Sequence, residues 1–285
     1  MVELSRWDIA AEKGVITILE AEGVAFRNEF RYRLENPSLY QLDAERAIEH
    51  TRVDAAIKRL ERKGVITTTG PLGRKPRYAG GPRTNLFYRL VKTSFSRALQ
   101  DLMRKKVDLS YAIFSLSSYA GFYAQGVWLK AFRDVNFDVL GTDVNELEGK
   151  RASISGDIDF VAEKEGVRFG VEVKNGLSYP TDFKEKFQIA AELGTIPFFV
   201  ARRLPSSTFY WINERGGLIK IYETAIHAPD FKSKVDECID ILGYPLITLN
   251  EISEETKSKL YQIARIGFSQ EKERKGKIQT YLRSL

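Results

Sequence analysis

Apolar and polar positions alternate with two different periods along the first 92 residues. Stretches in which apolar residues recur every three or four positions predict amphipathic helices, and short apolar or β-branched runs predict strands. The predicted helices cover 8–22, 43–48 and 52–63, and the predicted strands cover 65–69 and 86–91. A Gly- and Pro-rich segment separates the two strands, which indicates a long hairpin loop. The expected order is therefore three helices followed by a hairpin.

The remainder of the chain alternates helical and extended patterns, which predicts an α/β unit. Helices are expected at 93–106, 117–132 and 182–193, and a charged helical region is expected from 230 to 285. The expected strands lie at 136–140, 153–161, 168–174, 196–200, 209–212 and 218–222. The predicted fold class is a mixed α/β (α+β) architecture.

Composition and charge narrow the classes of site that the chain can build. A length of 285 residues favours two domains, and a net charge of +6 is compatible with a polyanionic partner. A single cysteine excludes an intrachain disulfide, and with only two histidines a zinc site of the Cys/His type is not expected. A catalytic metal would therefore rest on carboxylates, which favours Mg²⁺ or Mn²⁺.

Targeting and membrane signals are not expected in this chain. The first residues lack a basic-then-apolar signal, and no apolar run approaches the roughly 18 residues of a membrane span. A cytoplasmic protein without a membrane partner is the resulting expectation.

Charged residues interrupt an otherwise apolar hairpin in the second half of the chain. Asp159 lies on the first predicted strand, and Glu172 and Lys174 lie on the second, on both sides of Val173. Residues two apart in a strand point to the same side, so Glu172 and Lys174 should project together. Charges in such a strand are unfavourable unless they bind each other or a ligand. A surface hairpin with an incidental Glu–Lys pair is the alternative interpretation.

These group types suit hydrolysis of a phosphodiester. Asp159 and Glu172 would supply oxygen ligands to a divalent cation, which polarises a phosphate and lowers the pKa of a bound water. Lys174 would orient that water or stabilise negative charge that develops on phosphorus.

The segment 156–175, with Gly-Asp-Ile-Asp and Val-Glu-Val-Lys, resembles the motif region of the PD-(D/E)xK, or restriction-endonuclease-like, superfamily. It is most similar to Holliday-junction-resolvase-like proteins within it. The resemblance implies an αβββαβ core, Mg²⁺ dependence and phosphodiester hydrolysis. It also implies that Asp159 and Glu172 are the metal ligands and Lys174 the catalytic lysine. Asp157 is an auxiliary metal-ligand candidate on the side of Asp159.

Further positions are candidates through the same resemblance. Many members carry a Glu on the first core helix, where this chain has Gln125. The site then either binds a second metal ion more weakly or uses another carboxylate in place of that Glu, such as Glu146 or Glu148. Gln188 resembles the helix glutamine of several subfamilies, and Lys184, one turn earlier on the same face, is a candidate nucleic-acid-binding residue. A polar helix surface explains both residues equally well. Arg202 and Arg203 are candidate phosphate contacts, although a solvated strand end is the alternative.

The order of elements in residues 8–92 resembles a winged helix, whose third helix usually enters the major groove. Residues 44–83 carry ten cations and four anions, a local net charge of 10 − 4 = +6. This excess favours nucleic-acid binding through phosphates, whereas a winged helix used for protein contacts is the alternative. The candidate nucleic-acid-binding residues of the third helix and wing are Arg52, Lys58, Arg59, Arg74, Lys75, Arg77 and Arg83.

The predicted organisation has four parts. These are a winged-helix domain at 1–92, a linker helix at 93–112, a nuclease domain at 113–228 and a helical extension at 229–285. The function favoured by the sequence is a Mg²⁺- or Mn²⁺-dependent DNA endonuclease that acts as a homodimer. A DNA-binding regulator with an inactive nuclease fold and an RNA-processing nuclease are the alternatives.

Overall fold

A computed structural model describes residues 4–36, 42, 47–70, 86–176 and 180–285 of the chain. The chain divides into two compact units. One comprises Met1–Ser115 with Ser233–Pro245, and the other comprises Leu116–Lys232 with Leu246–Leu285. The segment 229–285, predicted as one extension, thus contributes residues to both units. Helices and a mixed sheet together confirm the mixed α/β class.

The helices of the described residues are numbered in chain order. They are α1 (Arg6–Glu22), α2 (Arg27–Arg33), α3 (His50–Arg62), α4 (Arg97–Ser115), α5 (Ser117–Asp134), α6 (Pro180–Glu192), α7 (Ser206–Glu214), α8 (Lys232–Leu242), α9 (Glu254–Ser269) and α10 (Glu271–Leu282).

The strands of the described residues are numbered in the same way. They are β1 (Ala25–Phe26), β2 (Ile66–Thr69), β3 (Phe87–Leu90), β4 (Asp138–Val144), β5 (Glu146–Leu147), β6 (Lys150–Arg151), β7 (Ile158–Lys164), β8 (Val167–Lys174), β9 (Ile196–Ala201), β10 (Leu218–Ile221), β11 (Ala225–His227) and β12 (Leu246–Thr248).

The first unit packs α1 against α3 beside a small antiparallel sheet of order β1-β3-β2. Ser5 caps α1 by accepting a hydrogen bond from the Asp8 backbone N–H, and the Asp8 side chain accepts one from the Ser5 backbone N–H in return. Gly23 ends the helix with a φ of 72°, a conformation that glycine adopts without strain. Of the polar helix predicted at 43–48, residues 43–46 lie outside the described residues and residues 47–48 are not helical.

A buried ionic cluster ties three elements of the first unit together. Lys106 of α4 and Glu29 of α2 are both fully buried and lie 2.6 Å apart (Nζ to Oε1). Lys106 also donates to the Val24 carbonyl at 2.9 Å. Arg33 bridges the same Glu29 oxygen at 3.0 Å and a Glu22 carboxylate oxygen at 3.1 Å. The cluster holds two carboxylates and two cations, so its charges balance.

The second unit is built on a five-stranded sheet of order β10-β9-β8-β7-β4. Strands β4, β7 and β8 pair antiparallel, and β9 and β10 add to them in parallel. The β7–β8 hairpin turns at Glu165 and Gly166, which both have positive φ values, 54° and 76°. Phe160 and Phe169 of the hairpin lie in one apolar core with Phe132 of α5 and Phe198 of β9.

One predicted strand of this unit is wrong. The aromatic run 209–212 lies within helix α7 rather than in a strand. Aromatic residues favour strands only where a pleated surface packs around them. Here Pro205 precedes the helix in an extended conformation, and the buried Thr208 and Ile212 lie one helical turn apart while Tyr210 remains exposed. Tertiary burial at helical spacing therefore overrides the β preference.

The C-terminal residues are mostly helical, in agreement with the pattern. The exception is strand β12, which follows α8 and precedes α9 in the sequence. It pairs in parallel with β11. Among the described residues, no helix combines the length and the apolar composition needed to cross a membrane.

The buried cluster of the first unit yields a prediction on stability. We expect Lys106→Met to lower the free energy of unfolding by about 3–5 kcal/mol, because it leaves the buried Glu29 carboxylate without its main partner. Urea denaturation measures the change. Adding Glu29→Gln should recover part of the loss, since no uncompensated charge then remains.

Lys105→Met is the matched control on the same helix. The Lys105 side chain is 54% exposed and lies 3.4 Å from Glu237, and exposed pairs of this kind contribute less than about 1 kcal/mol. Equal losses for the two variants would contradict the assigned role of the cluster.

Candidate active site

The β7–β8 hairpin brings the predicted acidic residues together. Phe160 pairs with Val171 in the antiparallel register. Asp159, one residue earlier on β7, therefore lies beside Glu172 and Val173 of β8. The Val173 backbone N–H donates to Asp159 Oδ2 at 2.5 Å. Val171 and Val173 pack into the apolar core, so Glu172 projects from the opposite face of β8, as strand alternation predicts.

Glu172 is the centre of a compact ionic cluster. Its carboxylate is buried, and Oε1 lies 2.6 Å from the Lys174 ammonium. The same oxygen lies 3.6 Å from the ammonium of Lys186, a residue of α6. Lys186 in turn lies 3.4 Å from Asp157 Oδ1 and donates to the Asp157 carbonyl. The other Glu172 oxygen, Oε2, is buried and has no hydrogen-bond partner among the described residues.

The electrostatics of the cluster favour protonation of Asp159. Burial and the neighbouring Glu172 carboxylate together raise the pKa of Asp159 to about 7, against the opposing effects of the Val173 N–H, Lys174 and Lys186. Burial alone would lower the pKa of Lys186, but Glu172 and Asp157 hold that pKa above its ordinary value. The cluster therefore carries an excess of negative charge that a proton or a cation can neutralise.

The helix residues predicted for the site have different positions. Gln125 of α5 donates from Nε2 to the Asp159 carbonyl at 3.1 Å, so it supports the β7 backbone. Gln188 donates to Glu192 Oε1 at 2.8 Å and lies 3.5 Å from Ser153 Oγ, and no contact with the hairpin carboxylates is observed for it. Lys184 is exposed and lies over the Trp211 ring at 5.8 Å.

The substitutes considered for the helix carboxylate are not observed at the cluster. Glu148 pairs with Arg168 at 2.6 Å, and Glu146 is exposed on the short strand β5. The described residues contain no group of three or more His, Cys, Asp and Glu side chains placed to hold a metal. Asp159 and Glu172 interact at the hairpin, and Asp157 lies 3.4 Å from the Lys186 ammonium.

Polar residues at the ends of β8 and β9 have structural roles. Asn175 is buried, donates to the Ala120 and Ile226 carbonyls at 3.0 and 2.8 Å, and accepts from the Ile226 N–H at 2.8 Å. Arg202 is buried and donates to the Glu223 carbonyl at 3.3 Å. Arg203 follows it and is half-buried.

The basic residues predicted to bind nucleic acid differ in how far they are already paired. Arg52 lies 3.4 Å from Asp8, and Arg59 lies 2.6 Å from Glu12, so both pair with carboxylates of α1. Lys58 is exposed and makes no ion pair with a described residue. The wing candidates Arg74, Lys75, Arg77 and Arg83 lie outside the described residues.

Lys186 is a residue of the cluster that the sequence pattern did not predict. A signal for it does exist, because Phe183, Ile189 and Ala190 lie three or four positions away and are all buried. These neighbours place Lys186 on the face of α6 that packs on the sheet. The sequence favours Gln188 instead, because it resembles the helix glutamine of several subfamilies, and Lys184, because it lies one helical turn before Gln188.

Comparison with protein-family models finds no match for this chain, and comparison with curated proteins finds none either.

The raised pKa of Asp159 yields a prediction on stability against pH. The carboxyl ionises near 3.8 in the unfolded chain and near 7 in the folded chain. The stability that its proton contributes is fully present below pH 3.8 and is lost as the pH rises through 7. We expect metal-free Asp159→Asn to be more stable than the wild type at pH 8, by about 4 kcal/mol, and this difference to shrink to about 2 kcal/mol at pH 5.

Urea denaturation at pH 5 and pH 8, with a chelator present, measures this difference. The amide introduced by Asp159→Asn keeps an oxygen that can accept from the Val173 N–H, so the variant preserves the geometry while removing the charge. A stability difference that is the same at both pH values would contradict the proton assignment.

Proposed function

We propose that this protein is a metal-dependent DNA endonuclease of the PD-(D/E)xK type. One observation carries the proposal: Asp159 and Glu172 meet at the hairpin, beside Lys174, and leave one buried Glu172 oxygen without a partner among the described residues. The order of elements in the second unit, α5-β4-β7-β8-α6-β9 with two short strands inserted after β4, is compatible with the αβββαβ core that the resemblance implies.

A divalent cation suits this donor set. Two carboxylates of one cluster repel each other, as the raised pKa of Asp159 indicates, and the open Glu172 oxygen is a hard ligand of the kind that Mg²⁺ and Mn²⁺ prefer. Asp159 and Glu172 would hold the cation. When bound, it would polarise the scissile phosphate and lower the pKa of water.

The residues of the chain have separate roles in the proposed reaction. A water oxygen forms a bond to phosphorus while the bond from phosphorus to one sugar oxygen breaks, and that oxygen takes up a proton. Lys174 supplies positive charge where negative charge develops on the phosphate. Gln125 holds the Asp159 backbone through its carbonyl, which keeps the first carboxylate in register with Glu172.

The first unit would bring the DNA to this site. We propose that it is a winged helix in which the exposed Lys58 and the wing cations contact phosphates. Arg52 and Arg59 contribute less, because they already pair with carboxylates of α1. Cleavage of both strands would need two copies of the site, so we propose a homodimer.

A second candidate function is favoured by one observation. Gln125 is an amide where many members of the superfamily carry a carboxylate, and it bonds to a backbone carbonyl. A DNA-binding regulator with an inactive nuclease fold would need no ligand at this position. Cleavage assays distinguish the two functions.

We expect the purified protein to cleave supercoiled or branched DNA in the presence of Mg²⁺ or Mn²⁺. Asp159→Asn and Lys174→Ala should each lower the rate by at least about a hundredfold, because they remove a cation ligand and a charge that stabilises the transition state. Lys277→Ala is the control, since Lys277 pairs with Glu273 on α10. Absence of cleavage with both metals, or cleavage that survives both variants, would reject the nuclease; cleavage of structured RNA alone would identify an RNA-processing enzyme.

A separate measurement tests the basic unit. Replacing Arg74 and Arg77 together with Ala should weaken DNA binding and reduce the slope of log affinity against log salt by about 2, since each phosphate contact contributes roughly 0.9. Fluorescence anisotropy at several salt concentrations gives both quantities. Lys92→Ala is the control in the same unit, because Lys92 pairs with Glu20 at 3.2 Å. An unchanged slope would contradict DNA contact by the wing.

A further inference from the structure

Lys186 joins two parts of the candidate site that come from different segments. Its ammonium lies 3.6 Å from Glu172 Oε1 on β8 and 3.4 Å from Asp157 Oδ1 just before β7. It also donates to the Asp157 backbone carbonyl. A single side chain of α6 thus contacts both the central strand and the segment that leads into the first strand of the hairpin.

The position of Lys186 is set by its helix. Phe183, Ile189 and Ala190 on the same face of α6 are buried, and the Lys186 side chain is only 22% exposed. The segment before β7 is restrained as well, since Gly156 has a φ of 107° and its carbonyl accepts from the Asn145 amide. Lys186 therefore meets Asp157 and Glu172 in a fixed geometry rather than as a mobile surface lysine.

The charges of the cluster are unequal. Asp157, Asp159 and Glu172 are three carboxylates, whereas Lys174 and Lys186 are two ammonium groups. Both ammonium groups approach the same oxygen of Glu172, and the second oxygen has no partner among the described residues. The two lysines thus neutralise part of the charge and leave the second Glu172 oxygen without a partner among the described residues.

We propose that Lys186 is a positioning residue that acts as a built-in counter-ion of the metal site. It holds Asp157 and Glu172 together before a cation binds, and its positive charge makes the site bind a divalent cation more weakly than the carboxylates alone would. This inference rests on the proposed nuclease function, because it assumes that Asp159 and Glu172 hold a cation.

The expected effect has a definite direction. A monovalent ammonium that contacts the same carboxylate as a divalent cation would repel that cation by enough, even with the dielectric constant of water, to weaken binding roughly tenfold. Removing the Lys186 charge should therefore tighten cation binding. It should also destabilise the metal-free protein, because Asp157 and Glu172 lose a shared partner.

The test measures Mn²⁺ binding without any activity assay. Calorimetry or electron paramagnetic resonance gives the Kd of the chelator-treated protein, and urea denaturation gives its metal-free stability. We expect Lys186→Met to bind Mn²⁺ about tenfold more tightly than the wild type and to be less stable without metal. Lys186→Arg keeps the charge and should return both quantities towards the wild type. If Lys186→Met does not fold, Lys186→Gln removes the charge and keeps a donor for the Asp157 carbonyl.

Lys184→Met is the matched control. Lys184 lies two residues away on α6 and is exposed beside Trp211. Removing its charge should leave the Mn²⁺ Kd within about twofold of the wild-type value. Binding that is unchanged or weaker in Lys186→Met would overturn the role of Lys186.

Asp159→Asn separates this failure from that of the proposed function. If Asp159→Asn abolishes Mn²⁺ binding and Lys186→Met leaves the Kd unchanged, only the counter-ion role is wrong. If the wild type does not bind Mn²⁺, or binds it equally well after Asp159→Asn, the metal site itself is wrong and both proposals are overturned.

Discussion

The burial of the Glu172 carboxylate on strand β8 is the constraint on which the candidate site depends. A buried carboxylate is unfavourable unless cations or hydrogen bonds compensate for the lost water. Lys174 and Lys186 supply that compensation at one oxygen only. The Glu172 carboxylate in turn adds to the effect of burial that raises the pKa of Asp159 on the neighbouring strand.

The surrounding fold keeps that carboxylate in place. Strand β8 is the central strand of its sheet, with β7 and β9 paired on its two sides. Asn175, at its end, satisfies its amide with Ala120 of α5 and Ile226 of β11. Gln125 fixes the Asp159 backbone from α5. Side chains that are supported in this way hold their geometry without a ligand, which is what a preorganised site requires.

The hairpin and its charged residues could be predicted from the sequence because the information is local. Strand alternation and the turn at Glu165 and Gly166 determine which side chains share a face. The contacts of Lys186 with Glu172 and of Lys106 with Glu29 could not be predicted, since they depend on how helices pack against other elements. The run 209–212 was mispredicted for a related reason, because burial at helical spacing overrode its local preference.

The two ionic clusters described above differ in the balance between carboxylates and cations. In the first unit, Glu22 and Glu29 face Arg33 and Lys106, so the numbers of carboxylates and cations are equal. At the hairpin, three carboxylates face two lysines. The remaining negative charge must be met by a proton, which the pKa of Asp159 near 7 allows, or by a cation. If the proposed function is right, a cation would take the place of that proton at Asp159 and Glu172.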